Sequence, residues 1–92
     1  MTWLEIDRWE PKFGLSPGEA LGLLSKLAAD SRWWNGVVVT IVTNGRGLNY
    51  SISLWENKKY PSVIADAPSL SVAAERAALK CYWNEDGSMY GV

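Results

Sequence analysis

The sequence predicts an α+β domain in which helices pack on an antiparallel sheet, and three features point to it. A capped amphipathic segment opens at Ser16-Pro17-Gly18-Glu19, a hairpin rich in β-branched residues runs from Val37 to Glu56, and alanines recur at helical spacing after Leu70. Ninety-two residues form one domain, because so short a chain cannot bury two independent cores. Residues 1–13 carry no assigned element, and 84–92 read as a polar tail.

In the first helix Ser16 caps, Pro17 takes the first helical position and Glu19 completes a capping box. From Ala20, the residues Leu23, Leu24, Leu27 and Ala28 recur at three and four, so one stripe is buried and the helix runs to about Ser31 or Arg32. Asn35-Gly36 breaks the chain before Val37–Thr43, a strand apolar on both faces and therefore expected to be covered on each side, by helices or by another subunit. The turn Asn44-Gly45-Arg46-Gly47 offers two glycines for positive φ and leads into a second strand, Leu48–Glu56. Here Leu48, Tyr50, Ile52 and Leu54 face the core, while Asn49, Ser51, Ser53 and Trp55 face away.

Asn57-Lys58-Lys59 forms a polar turn whose lysines are expected to guard a sheet edge against further pairing. After Pro61, residues Ser62–Asp66 make a short third strand. Pro68 and Ser69 then open the last helix, with Leu70, Ala73, Ala74, Ala77, Ala78 and Cys81 as its packing stripe. Val72, Leu79, Tyr82 and Trp83 lie on its flank, and Arg76 and Lys80 point away from the alanines.

Nine basic against ten acidic residues leave a formal charge of −1, which argues against a phosphate backbone as the main partner. With no histidine, Ser-His-Asp and Cys-His catalysis and histidine metal sites are excluded, and the single Cys81 allows neither an internal disulfide nor a zinc cluster. Cys81 reads as a core thiol suited to a reducing compartment. Glu5, Asp7 and Glu10, like Glu85 and Asp86, read as solvated terminal charges. Gly45-Arg46-Gly47 lacks the Lys-Ser/Thr of a phosphate-binding loop. No cofactor is implied. The charged N-terminus carries no export signal, and no apolar run reaches membrane-spanning length. The expectation is a soluble, cytoplasmic, non-enzymatic binder.

The aromatic content marks the candidate site. Six tryptophans are more than one small core hides easily, and indole is enriched in binding hot spots and base-stacking sites. Trp33 and Trp34 suit either packing at the sheet end or recognition. Trp55 shares a strand face with Asn49, Ser51 and Ser53, a face that suits a partner, a subunit contact or a flat ligand. Arg46, Lys58 and Tyr60 complete the candidate binding set. Trp3 and Trp9 are expected to anchor the N-terminal segment, and Trp83 to pack. Surplus indole beside a polar strand face also predicts a homo-oligomer.

The hairpin Val37–Glu56, followed by the proline-started, alanine-rich stretch Ala65–Leu79, resembles the small phage-encoded proteins of the phage ABA sandwich family. The resemblance implies a phage product acting in the cytoplasm of an infected bacterium, of a kind that includes inhibitors of antiphage defence. The expected mode, favoured because the tryptophans offer stacking platforms, sequesters a nucleotide-derived immune signal, with aromatics on the base and Arg or Lys on phosphate. The other covers a surface of a host defence protein, as an anti-CRISPR-like blocker. The order helix, three strands, helix also matches a double-stranded RNA-binding module, but Ser69-Leu70-Ser71-Val72 stands where that module needs a basic cluster.

Overall fold

Capping chemistry sets where the first two helices begin. In the computed structural model, which describes residues 1–11 and 14–90, the elements run α1 (Trp3–Arg8), α2 (Pro17–Ala28), β1 (Val37–Asn44), β2 (Gly47–Leu54), β3 (Val63–Ala67) and α3 (Leu70–Tyr82). Residues 12 and 13, within the unassigned N-terminal segment, and 91 and 92, in the expected tail, lie outside the described residues. α2 opens with the expected Ser16–Glu19 capping box. α1 lies in the segment left without an element, and it too has a capping box, formed by Thr2 and Glu5. Its Ile6 is buried, and the Trp3 indole N–H donates to the Trp83 carbonyl, as expected of an anchor.

α2 ends at Ala28, before the expected Ser31 or Arg32. The Asp30 carboxylate accepts from the Arg32 backbone N–H at 2.9 Å and its carbonyl from that of Trp33 at 3.1 Å, so a local turn replaces the helix and drives Trp33 inward. Gly36 follows at φ 62°, close enough to α2 that an added Cβ would meet the Ala28 side chain at 3.6 Å.

The sheet is antiparallel in the order β1-β2-β3. Register places Val39, Ile52 and Ala65 in one row and Val37, Leu54 and Val63 in the next, all on the face that carries the helices. α3 lies over β2 and β3, and α2 rests on α3 and reaches β1. Ala73, Ala74 and Ala77 are fully buried, so the alanine stripe meets the sheet at close range with Cys81 at its end. Of the hairpin glycines only Gly47 has positive φ. β2 stops at Leu54 because Trp55 and Glu56 bond elsewhere: the Trp55 carbonyl accepts from Trp34 N–H, and Glu56 N–H donates to Ser62 Oγ. β3 begins one residue later than expected and includes Ala67.

Two expectations are corrected. Helices of the same chain do not cover β1 on both faces: all helix contact is on one side, and Val39, Ile41 and Val42 are exposed. The physical reason is the offset of α3 toward β3, which draws α2 with it and leaves β1 under the margin of the helical layer. The sheet edge is not guarded by Lys58 and Lys59, whose ammonium groups lie 5.6 Å from the Trp34 and Tyr60 ring centres respectively. Arg76 and Lys80 guard it instead. Arg76 donates to the carbonyls of Asp66 (2.8 Å) and Trp9 (2.9 Å); Lys80 donates to the Ile64 carbonyl (2.7 Å) and pairs with Asp7 (2.6 Å). Both side chains are buried, and their hydrogen bonds consume the outward carbonyls of β3.

The C-terminal stretch through Tyr90 turns back onto the end of α3. Trp83 bridges Met89, and Tyr90 N–H donates to the Tyr82 carbonyl at 2.7 Å. Among the described residues, no helix is long and apolar enough to cross a membrane.

Truncating Arg76 leaves two carbonyls without their charged donor. Arg76→Ala should therefore lower stability by about 2–4 kcal/mol, close to the roughly 2–5 kcal/mol expected for Ile52→Ala. Urea unfolding checks both, as a lower midpoint with an unchanged slope.

Candidate functional site

Strand alternation sends Asn49, Ser51 and Ser53 to the face of the sheet opposite the helices, where they form a central row. Register sets them between neighbours on both sides: Ser53 lies between Val38 and Ile64, Ser51 between Thr40 and Asp66, and Asn49 beside Val42. The surface has hydroxyl and amide groups along its middle, flanked by Val38, Thr40 and Val42 on one side and by Ile64 and Asp66 on the other. Asp66 is the only charged residue in these rows.

One end of this face carries the aromatic residues. Trp34 is 52% exposed, its backbone is tied to Trp55 by a 2.6 Å hydrogen bond, and the Lys58 ammonium stands over its ring. Trp55 is half-buried, and Tyr60 is exposed beyond the same end of β2. Arg46 sits at the opposite end, in the β1–β2 turn. The eight residues of β2 separate them, roughly 25 Å at about 3.3 Å per residue. The structure thus brings Trp34, Trp55 and Lys58 together but holds Arg46 apart from them.

Trp33 is buried in the core and offers no outward surface. The Arg32 guanidinium lies 4.2 Å from its ring centre and 3.5 Å from that of Tyr90, donates to the Cys81 carbonyl at 3.1 Å and pairs with Glu56 at 3.0 Å. These contacts make Arg32 a strut joining the α2–β1 turn, the end of β2 and the C-terminal turn. A cleft of about 430 Å³ opens beside it, lined by Trp3, Lys80, Glu85 and Asp86 among others. Both of its cations already have carboxylate partners. Hydrogen bonds from the Ser88 hydroxyl and backbone hold the Asp86 carboxyl below its usual range.

Of the six indoles, one is sequestered, one stands out and four are half-buried. The flanking residues Val38, Thr40, Val42, Ile64 and Asp66 were not among the sequence candidates. The signal for the β1 members was present, since the hairpin turn fixes which residues oppose Asn49, Ser51 and Ser53. Arg32 carried no such signal. Its partners lie at positions 56, 81 and 90, and only the closed fold gathers them.

The chain matches no protein-family model, and comparison with curated proteins and with solved structures finds no significant match.

Cys81 packs in the core, and burial pushes its thiol up to about 11 from an ordinary 9.0. The folded state keeps this proton while the unfolded chain releases it above pH 9. The associated stability is therefore complete below pH 9 and lost as pH rises toward 11, by at most about 1.4 kcal/mol per pH unit. Denaturant titrations of wild type and Cys81→Ala across pH 8–11 should show the wild-type curve falling more steeply, and native Cys81 should resist iodoacetamide at pH 8.

Proposed function

We propose that this protein is a non-catalytic binder whose recognition surface is the uncovered sheet face, and that its occupant is the surface of another protein. The observation that carries the reading is that the helices lie on one side only, so the opposite face of three paired strands is open to solvent. Its near absence of charge suits a protein contact, since interface centres are depleted in charged residues, and Trp34 and Trp55 at its end supply the aromatic side chains that interfaces are enriched in. In the terms of the phage resemblance, such a binder blocks a component of bacterial antiphage defence in the host cytoplasm.

A second reading, sequestration of a nucleotide-derived signal, is favoured by the exposed Trp34 ring with Lys58 beside it, a pairing able to stack a base and meet a phosphate. Against it stands the distance of Arg46, and small ligands prefer concave sites.

Immobilised wild-type protein should retain a bacterial partner that Ser51→Arg loses and that Lys26→Gln, altered on exposed α2, still holds. Retention by all three, or by none, would discard the sheet face as the site. Titration with a panel of cyclic and linear nucleotides should leave tryptophan fluorescence and melting temperature unchanged. A response abolished by Trp34→Ala would replace the protein-surface reading with the nucleotide one.

A further inference from the structure

The two edges of the sheet are treated differently. At β3, the outward carbonyls of Ile64 and Asp66 are taken by Lys80 and Arg76. This bonding also fixes the parity of the ladders. With the even residues of β3 facing outward, β2 uses its even residues toward β3 and its odd residues toward β1. The even residues of β1 then pair with β2. Val37, Val39, Ile41 and Thr43 direct their N–H and C=O groups into solvent, and among the described residues none of these groups has a partner beyond the hairpin.

That edge also lacks the features that ordinarily discourage pairing. Val37 to Asn44 contains no charged residue, no proline and no glycine. Ile41 is 61% exposed, and Val39 and Val42 are also exposed. Beside the edge, Val37 and Val39 share an open groove of about 440 Å³ with Leu21 of α2, itself 57% exposed.

We propose that β1 pairs antiparallel with β1 of a second copy of this chain, about a two-fold axis at Thr40, joining the two sheets into one of six strands. The sequence Val37-Val38-Val39-Thr40-Ile41-Val42-Thr43 is self-complementary about its centre. Val39 meets Ile41 and Val37 meets Thr43 on the helix side; Val38 meets Val42 and Thr40 meets Thr40 on the other side. This register places the outward-bonding residues 37, 39, 41 and 43 opposite one another, so each pair exchanges two hydrogen bonds and no like charges face across the seam. The second copy is favoured over a foreign peptide because it supplies the same apolar groove, brought alongside by the same axis, and so covers Val39, Ile41 and Leu21 on both subunits. Pairing along this edge extends the uncovered sheet face without covering it, so the inference does not depend on the proposed function.

Sedimentation or light scattering of the full chain at micromolar concentration should give twice the monomer mass. Ile41→Pro removes an outward N–H that β2 does not use and should halve that mass with the far-ultraviolet circular dichroism retained. Ile41→Lys, at the same exposed position, should do the same without a backbone constraint. Under mild oxidation Thr40→Cys should form a covalent dimer, because the facing residues at the axis are a non-hydrogen-bonded pair within disulfide reach. Val42→Cys should not, and buried Cys81 does not compete. A wild-type monomer, a dimer that survives both Ile41 substitutions, or a dimer cross-linked through position 42 but not 40 would each overturn the proposal.

Discussion

The close approach of the α3 alanine face to β2 and β3 governs the arrangement of this domain. Ala73, Ala74 and Ala77 have no side chain long enough to hold the helix away from the sheet, so α3 settles against Ala65 and Ala67, which are equally small. Dense packing of this kind gains its energy from many short contacts rather than from a few large side chains. The larger groups, Ile52 and Leu54 of β2 and Trp33 of the α2–β1 turn, belong to the same buried cluster.

That offset has consequences at both edges. Because α3 sits toward β3, residues one turn apart on its flank reach past the last strand, and Arg76 and Lys80 close the edge there while their alkyl stems stay buried. Their charges are not stranded, since Lys80 meets Asp7 and both donate to carbonyls. α1 is held by the same two residues through Trp9 and Asp7. At the opposite edge the helical layer runs out, and β1 keeps Val39, Ile41, Val42 and its outward backbone groups in solvent. One packing decision therefore produces a sealed edge, an open edge and an uncovered face.

The uncovered face is chemically distinct from the open edge. Asn49, Ser51 and Ser53 give the face a neutral, hydroxyl-rich centre, whereas the edge of β1 is wholly β-branched apart from its closing Asn44. The first suits a contact that displaces water from scattered polar groups. The second suits strand addition, in which main-chain hydrogen bonds provide the attraction and side chains set the register. Trp34 and Trp55 stand where the hairpin meets the α2–β1 turn, at the end of the face and away from the Arg46 tip.

Local chemistry in the sequence determined where α2 begins, the hairpin and its register, the alanine face of α3 and the outward row Asn49-Ser51-Ser53, because caps, turns and alternation act over a few residues. α1 was equally local, with Thr2 and Glu5 forming a capping box, but its six residues are too few to show a hydrophobic period. Only the tertiary structure decided that Trp33 is buried while its neighbour Trp34 is exposed, that Arg32 joins three distant segments, and that Arg76 and Lys80 rather than Lys58 and Lys59 guard an edge. It also decided that β1, apolar on both sides, is covered only at its start, where α2 reaches it. Periodicity reports which residues share a face, but what covers that face depends on how far a helix shifts across the sheet. That shift is set by contacts between residues remote in the chain.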